Sequence, residues 1–134
     1  GLVGSEMCIR DRDVGLLGAM SELPAESILE GNDIFVEFKG ALTEQYVLQQ
    51  LISDTPYTPY YYGNEKATFE QDFLIQKAKS IVPIEVKAEQ NIRSHSLKTY
   101  CEKFQPEEAV RFSTLKYKEQ ERMVNIPLYA VCNL

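Results

Sequence analysis

The chain contains few of the residues that bind soft metal ions or build disulfide frameworks. It has three cysteines and one histidine, and no two cysteines lie close together in the sequence. Zinc sites and disulfide-rich scaffolds both require clustered cysteine or histidine side chains. The composition therefore supports neither, and it favours a protein of the reducing cytoplasm.

Long apolar runs are also missing. No segment approaches the roughly 20 apolar residues that a membrane-spanning helix needs, so we expect a soluble protein without membrane contact. Acidic residues outnumber basic ones by 20 to 14, which gives a formal net charge of −6. Because nonspecific nucleic-acid affinity comes mainly from Lys and Arg, this charge disfavours a nonspecific nucleic-acid binder. The net negative charge does not exclude a groove that is locally basic.

The first twelve residues, GLVGSEMCIRDR, resemble the translation of a sequencing adapter, an artefact common in metagenome-derived proteins. They have no amphipathic period and lack the apolar core of a signal peptide. We therefore expect residues 1–12 to be a sequencing artefact that contributes to neither the fold nor the function. Residues 13–134 have a length typical of one compact domain, and we expect one.

Two short apolar runs, Phe69 to Gln76 and Ile81 to Ala88, predict an antiparallel hairpin with a loop of four residues. If Gln76 pairs with Ile81 across that loop, the register of the whole hairpin follows. Side chains that oppose each other across such a pair have Cβ atoms about 4.5–5.5 Å apart.

In this register Asp72 lies opposite Glu85, and Glu70 lies opposite Lys87. On the second strand, Glu85 and Lys87 share one face while Val82, Ile84 and Val86 share the other. Charged groups on strands that look buried are costly unless a cation or a reaction uses them. The hairpin is therefore a candidate metal site.

The rest of the chain predicts two helices and two more strands. The first helix runs from about Asp33 to Ile52, capped by Asn32 or Asp33, and a strand follows at Tyr57 to Tyr62. Its apolar face is predicted to contain Ile34, Phe38, Ala41, Leu48 and Ile52, with Glu37 and Glu44 along the edge.

The second half of the chain predicts a helix that begins at Ser94 and ends at Pro106, then a strand from Ala109 to Ser113. This connection is typical of a crossover between parallel strands. The apolar tail from Ile126 to Val131 is expected to pack on the core. The fold class is α/β, with the order helix, three strands, helix, strand, and with a mixed sheet flanked by helices.

This order, with acids and a lysine on the second and third strands, resembles the PD-(D/E)xK nuclease-like superfamily and its restriction-endonuclease-like core. The chain is also similar to the uncharacterised domain that follows the ATPase module of prokaryotic AAA+ proteins, in the stretches FKGALTEQYVLQQL, YYYGNEKATFEQDFLIQ, IVPIEVKAEQNIRSHSLKTY and NIPLYAV. No Gly-rich phosphate loop ending in Lys-Ser/Thr is present. The resemblance therefore implies a fragment whose partner is the ATP-binding N-terminal module of a longer chain.

A nuclease-like site here would hydrolyse DNA phosphodiesters. Asp72 and Glu85 would hold Mg²⁺ through hard oxygen ligands, and Lys87 would orient the attacking water or stabilise charge on the phosphate. The resemblance adds Glu44, whose helix-borne carboxylate would complete the metal environment through water. The candidate catalytic residues are thus Glu44, Asp72, Glu85 and Lys87, with the three acids as metal ligands.

Three alternatives stay open. The hairpin charges could be ordinary cross-strand pairs, such as Glu70 with Lys87 or Asp72 with Lys77 or Lys79, on a solvated face. The domain could instead be an inactive module that binds DNA or a protein and reports to the ATPase, because one fold hosts many functions. It could also be purely structural or serve oligomerisation.

Overall fold

The structure is a computed structural model that describes residues 14–15, 33–62, 70–88 and 95–134, with side chains in the first helix described from residue 39 onward. Several expectations fall on other residues. The adapter-like segment 1–12, the cap at Asn32, the side chains of Ile34, Glu37 and Phe38, and the cap at Ser94 all lie outside the described residues.

Helix α1 spans Asp33–Asp54 and helix α2 spans His95–Phe104. The strands are β1 Tyr60–Tyr62, β2 Gln71–Lys77, β3 Ser80–Lys87, β4 Ala109–Ser113, β5 Lys118–Gln120 and β6 Met123–Pro127, and a 3₁₀ helix follows at Leu128–Asn133. In the described part of the chain these strands form one sheet in the order β1-β2-β3-β4-β6-β5.

The sheet is mixed. Strand β3 pairs with β4 and β4 pairs with β6 in parallel, whereas the β1–β2, β2–β3 and β5–β6 pairs are antiparallel. Helix α2 connects β3 to the parallel strand β4, so the predicted crossover is confirmed. The helices flank the sheet, and the α/β class is confirmed.

The predicted register of the β2–β3 hairpin is also confirmed, because Gln76 pairs with Ile81. The loop is shorter than expected, since Lys77 pairs with Ser80 and leaves only Ala78 and Lys79 in the turn. Ala78 has a φ of 55°, a backbone conformation that favours glycine.

One apolar cluster forms the core between α1, the sheet and the 3₁₀ helix. Its buried members are Val47, Leu48, Leu51, Phe73, Ile75, Val82, Ile84, Val86, Val110, Phe112, Ile126 and Val131. Because Ile126 and Val131 belong to this cluster, the prediction that the tail packs on the core is confirmed. Leu97 and Tyr100 of α2 are buried as well, and α2 contacts β2 and β3.

The predicted apolar face of α1 was partly wrong. Leu48 is buried, but Ala41 and Ile52 are exposed, and the helix instead buries Val47 and Leu51. The sequence offers two apolar doublets, Val47-Leu48 and Leu51-Ile52, so helical periodicity fits either side of each doublet. Packing against the sheet decides between them.

No helix in the described ranges combines the length and the apolar character needed to cross a bilayer.

Candidate functional site

Three of the four candidate residues, Asp72, Glu85 and Lys87, lie where β2 and β3 stop pairing. The backbone ladder of the hairpin runs from the Lys77–Ser80 pair to the Phe73–Ile84 pair. At the next position the side chain of Asp72 replaces the backbone pairing, because its Oδ2 accepts a hydrogen bond of 2.6 Å from the backbone N–H of Val86. Asp72 is thereby fixed against β3 beside Glu85.

Glu85 lies deep in the sheet, and only 3% of the residue is exposed. Its Oε1 lies 2.6 Å from Nζ of Lys87, two residues along the same strand. Its other oxygen, Oε2, is buried and has no hydrogen-bond partner in the part of the chain that the structure describes. A buried carboxylate oxygen without a partner is costly and rare in folded proteins. This atom is therefore where the site can accept a cation or a proton donor.

The Lys87 side chain is about one-third exposed and carries a positive charge at the edge of the site. Burial opposes its charged form, but the hydrogen bond to Glu85 and the attraction of Glu85, Asp72 and Glu44 outweigh that effect. Its pKa is therefore raised above the ordinary value for lysine. Lys87 stays an ammonium group at any pH at which the domain would work.

The environment raises the pKa of Asp72 to about 7. Burial is the largest cause, and the negative charges of Glu85 and Glu44 raise it further. The Val86 N–H and the charge of Lys87 act in the opposite direction. Asp72 therefore exchanges a proton near neutral pH.

Glu44 reaches the same group of charges from α1. Its side chain is exposed, so desolvation is only partial, but desolvation still raises its pKa. Lys87 lowers that pKa and Glu85 raises it. The four predicted residues thus act on one another electrostatically, from one helix and two strands.

The alternative charge pairs receive no support from the ion pairs of the described residues. Lys87 pairs with Glu85 rather than Glu70, and Glu70 is exposed and precedes β2. Lys77 pairs with Glu108 at 3.2 Å, not with Asp72. The expected Glu70–Lys87 opposition lies beyond the end of the ladder at Phe73–Ile84, because the Asp72 carboxylate occupies the next N–H of β3.

A polar network that sequence reasoning missed lies beside Glu85. Arg111 of β4 pairs in register with Glu85, and Asn125 of β6 pairs with Arg111. Residues paired in this way point to the same face of a sheet. Arg111 Nε donates to Asn125 Oδ1 at 3.0 Å, and Ser113 Oγ donates to the same oxygen at 2.7 Å.

The network also holds the chain that follows β4. Asn125 Nδ2 donates to the backbone carbonyl of Lys116 at 3.0 Å and more weakly to that of Leu115 at 3.4 Å. Arg111 is 4% exposed, and burial lowers its pKa while Glu85 raises it. The signal was present in the sequence, because Arg111 and Ser113 alternate with the apolar Val110 and Phe112 along a correctly predicted strand.

The donor set limits which metal ions these residues could hold. Among the described residues, which include Glu44, Asp72 and Glu85, no group of three His, Cys, Asp or Glu side chains is placed to hold a metal ion. Mg²⁺ needs less, because it keeps several waters and binds proteins through one or two carboxylates. Asp72 and Glu85 would supply two, and the Oε2 of Glu85, which has no hydrogen-bond partner among the described residues, is the atom with the most capacity for a cation.

One comparison with known proteins finds a match. A family model described as "Domain of unknown function (DUF4143)" matches residues 39–131, which is more than half of the chain and includes every candidate residue. The comparisons with curated proteins and with solved structures find no match.

Proposed function

The chain belongs to the DUF4143 family of domains of unknown function, and we propose that its Glu44, Asp72, Glu85 and Lys87 form a Mg²⁺-dependent site that hydrolyses DNA phosphodiesters. The observation that carries this proposal is the buried Oε2 of Glu85, which lacks a hydrogen-bond partner among the described residues while Oε1 of the same side chain pairs with Lys87. A bound ion is one of the explanations for a buried polar atom without a partner, and the negative charge of a carboxylate favours a cation there.

Each side chain has a distinct role in this proposal. Asp72 and Glu85 hold the ion, and Glu44 contributes through water from the rim. Lys87 keeps its proton and faces the phosphate, where it stabilises developing negative charge. When bound, Mg²⁺ supplies Lewis-acid stabilisation of the phosphoryl oxygens and lowers the pKa of water.

We propose in addition a superfamily for the fold, a cellular compartment and a partner. The mixed sheet, with its acids and lysine at the end of the β2–β3 ladder, is compatible with a PD-(D/E)xK nuclease-like, restriction-endonuclease-like core. In this proposal the domain works in the cytoplasm, and its partner is the ATPase module of a longer AAA+ chain. ATP binds only to that module, since this chain contains no phosphate-binding loop of the required pattern.

The test is cleavage of supercoiled plasmid DNA by the full chain with Mg²⁺, with Mn²⁺ or with a chelator. The variants are Asp72→Asn, Lys87→Ala and Lys77→Ala. Lys77 is a matched control, because it is also a lysine at the end of a hairpin strand and also forms an ion pair, with Glu108, outside the candidate site.

We expect metal-dependent cleavage by the parent chain and the Lys77→Ala variant. Losing a group that stabilises charge in the transition state costs about 10²–10³-fold in rate, so Lys87→Ala should fall to background. Circular dichroism of each variant confirms folding. Equal activity of the two lysine variants, or no cleavage by the folded parent chain under any metal condition, would reject the nuclease proposal.

A second candidate function is a non-catalytic module that binds DNA or a protein and reports to the ATPase. The ion pair between Lys87 and Glu85 favours it, because the lysine already neutralises part of the acidic charge that a metal would need. This module would bind its partner equally well with Mg²⁺ and with chelator. A gel-shift or pull-down measurement in both conditions separates it from the metal-dependent enzyme.

A further inference from the structure

A cavity of about 520 Å³ lies between α1 and the 3₁₀ helix, at the carboxyl ends of β4 and β6. This volume lies within the range of small-molecule sites in proteins. In open α/β sheets, ligands commonly bind outside the carboxyl ends of the strands. The walls of the cavity are mainly apolar and include Lys39, Leu42, Tyr46, Pro127, Leu128 and Tyr129.

Two elements that pack on the core form opposite walls of this cavity. On α1, Lys39, Thr43 and Tyr46 follow one another at spacings of four and three residues, so they lie on one side of the helix. On the 3₁₀ helix, Leu128 packs against the core. Tyr129, the next residue, lines the cavity while it is 82% exposed. The Tyr129 side chain therefore lies at the opening of the cavity.

Lys39 gives the cavity a positive charge in a chain whose net charge is −6. Of the described residues in the wall, Lys39 is the only one that carries a charge. None of the ion pairs among the described residues involves Lys39. A partly buried cation without a partner among these residues attracts an anion. The cavity therefore favours a ligand that combines an anionic group with an apolar or aromatic body.

Hydrogen bonds fix the part of the wall that follows β4. The Ser113 hydroxyl donates to Asn125 Oδ1 at 2.7 Å and accepts a hydrogen bond of 3.2 Å from the backbone N–H of Leu115. Thr114, which is exposed and lines the cavity, lies between these two residues. A site that is formed in advance loses less entropy on binding.

The cavity lies at the same end of the sheet as Lys87. Lys87 of β3 pairs with Ser113 of β4, and Ser113 pairs with Pro127 of β6. These three residues form one row across three strands, and neighbouring strands lie about 5 Å apart, so the row is about 10 Å long. At roughly 3.4 Å per nucleotide, the spacing in B-form DNA, this length corresponds to about three nucleotides. A short stretch of one DNA strand therefore reaches from the cavity to the proposed metal site.

We propose that the cavity binds an unpaired nucleotide of a single DNA strand, with the base against Tyr129 and Tyr46 and its phosphate at Lys39. This assignment rests on the proposed nuclease function and names its substrate class, which is DNA with a single-stranded segment beside the scissile phosphate. Aromatic side chains stack on unpaired bases of any sequence, because every base has a π-face. A base inside a duplex is already stacked and must leave the helix to enter a pocket. Negative supercoiling favours local strand separation, so a supercoiled plasmid still presents such segments.

The test is fluorescence anisotropy of a labelled DNA strand of about 15 nucleotides, alone or paired with its complement, titrated with the full chain. Excess chelator is present, so that binding is measured without a metal ion and without cleavage. We expect the single strand to bind about tenfold more tightly than the duplex, since only its bases can stack in the cavity. Equal or tighter binding of the duplex would overturn the proposal.

Tyr129→Ala tests the place of the base, because this exposed side chain can be removed without disturbing the core. We expect its Kd for the single strand to rise about tenfold, the size typical of one lost base–aromatic stack. Tyr129→Phe keeps the ring and should keep the affinity of the parent chain. Tyr117→Ala is the matched control, since Tyr117 is also exposed but does not line the cavity. Equal single-strand affinities of the two alanine variants would refute the assignment.

Lys39→Gln tests the place of the phosphate through the salt dependence of binding. For single strands, the logarithm of the binding constant falls with the logarithm of the salt concentration by about 0.7 for each phosphate that a cation contacts. The slope should therefore be smaller by about 0.7 in Lys39→Gln and unchanged in Lys116→Gln, whose exposed lysine does not line the cavity. An unchanged slope in Lys39→Gln would contradict the contact between Lys39 and a phosphate.

Cleavage of the same two DNA molecules with Mg²⁺ separates this proposal from the nuclease function on which it rests. We expect metal-dependent cleavage of the single strand that is lost in Lys87→Ala and weakened in Tyr129→Ala. Equal cleavage of both DNA molecules by the parent chain and by Tyr129→Ala would leave the nuclease function standing and overturn the assignment of the cavity. Single-strand binding that depends on Tyr129, without cleavage under any metal condition, would support the cavity as a strand-binding site and reject the nuclease function.

Discussion

Asp72 links folding stability to pH, because its pKa is raised to about 7 from an ordinary value of 3.8. The folded protein therefore holds a proton on Asp72 that the unfolded chain releases between these two values. Over this interval the folded state binds more protons than the unfolded state, so stability falls as the pH rises from about 4 to about 7. Above pH 7 the folded protein carries the buried negative charge of Asp72, which lowers its free energy of unfolding.

We predict that Asp72→Asn stabilises the protein at pH 8. A shift of this size corresponds to at most about 4 kcal/mol, and coupling to Lys87 and partial solvation reduce the expected gain to the order of 1–2 kcal/mol. The asparagine oxygen still accepts the N–H of Val86. Urea denaturation at pH 8 and pH 5 measures the effect, and the gain should shrink at the lower pH. An Asp72→Asn protein less stable than the parent chain at pH 8 would contradict the burial argument.

The same proton affects the proposed chemistry. A carboxyl group must be ionised before it binds a metal, so Mg²⁺-dependent activity should rise as the pH passes through about 7. The group that costs stability at pH 8 would then be the group that the site needs, which is the usual trade between stability and function.

At the scale of single elements, the two-residue turn between β2 and β3 carries local strain. Ala78 is exposed and has a φ of 55°, a conformation that costs an L-residue about 1–2 kcal/mol. Two-residue hairpin turns commonly place glycine at such a position. Part of the strain relieved by glycine is offset by the greater freedom of glycine in the unfolded chain.

We predict that Ala78→Gly stabilises the protein by on the order of 0.5 kcal/mol. Ala41→Gly is a matched control, because Ala41 is also exposed but lies inside α1, where glycine costs about 1 kcal/mol relative to alanine. The same substitution should therefore have opposite signs at the two sites in chemical denaturation. Loss of stability in both variants would show that Ala78 is not strained.

The hairpin and the crossover could be predicted because their strands alternate between apolar and polar residues over several positions. Strands β5 and β6 could not. The three residues of β5, Lys118 to Gln120, are all exposed and polar, so no apolar face marks a strand. In β6, Asn125 interrupts the apolar residues because it serves the buried network with Arg111 and Ser113. A polar residue that the tertiary structure requires interrupts the apolar pattern, so the sequence does not predict the strand in which it lies.

At the scale of the whole molecule, the candidate site depends on both local and distant contacts. Asp72, Glu85 and Lys87 come from one hairpin, so strand register alone could bring them together in a sequence-based prediction. Glu44 reaches them only because α1 contacts β3. The neighbouring Arg111–Asn125 contact depends on the parallel pairing of β4 with β6, which no local pattern specifies.

The net charge of −6 bears on how a metal would affect this molecule. Any added salt screens the repulsion among acidic groups and stabilises the fold without specific binding. Specific binding of Mg²⁺ must therefore appear as stabilisation beyond that of KCl at the same ionic strength. At pH 8 Asp72 is ionised, and the ion would relieve the cost of burying two carboxylates with one unsatisfied oxygen.

We predict that Mg²⁺ at ten times its Kd stabilises the folded chain by about 1.4 kcal/mol and raises Tm by about 3–6 °C over matched KCl. The increment should vanish in Asp72→Asn and persist in Asp54→Asn, which removes an exposed acid at the end of α1 and so makes the net charge less negative by the same one unit. Thermal unfolding followed by circular dichroism measures these differences. A specific increment in the parent chain without DNA cleavage would indicate a site that binds metal without catalysis, whereas no increment over KCl would reject metal binding at the β2–β3 hairpin.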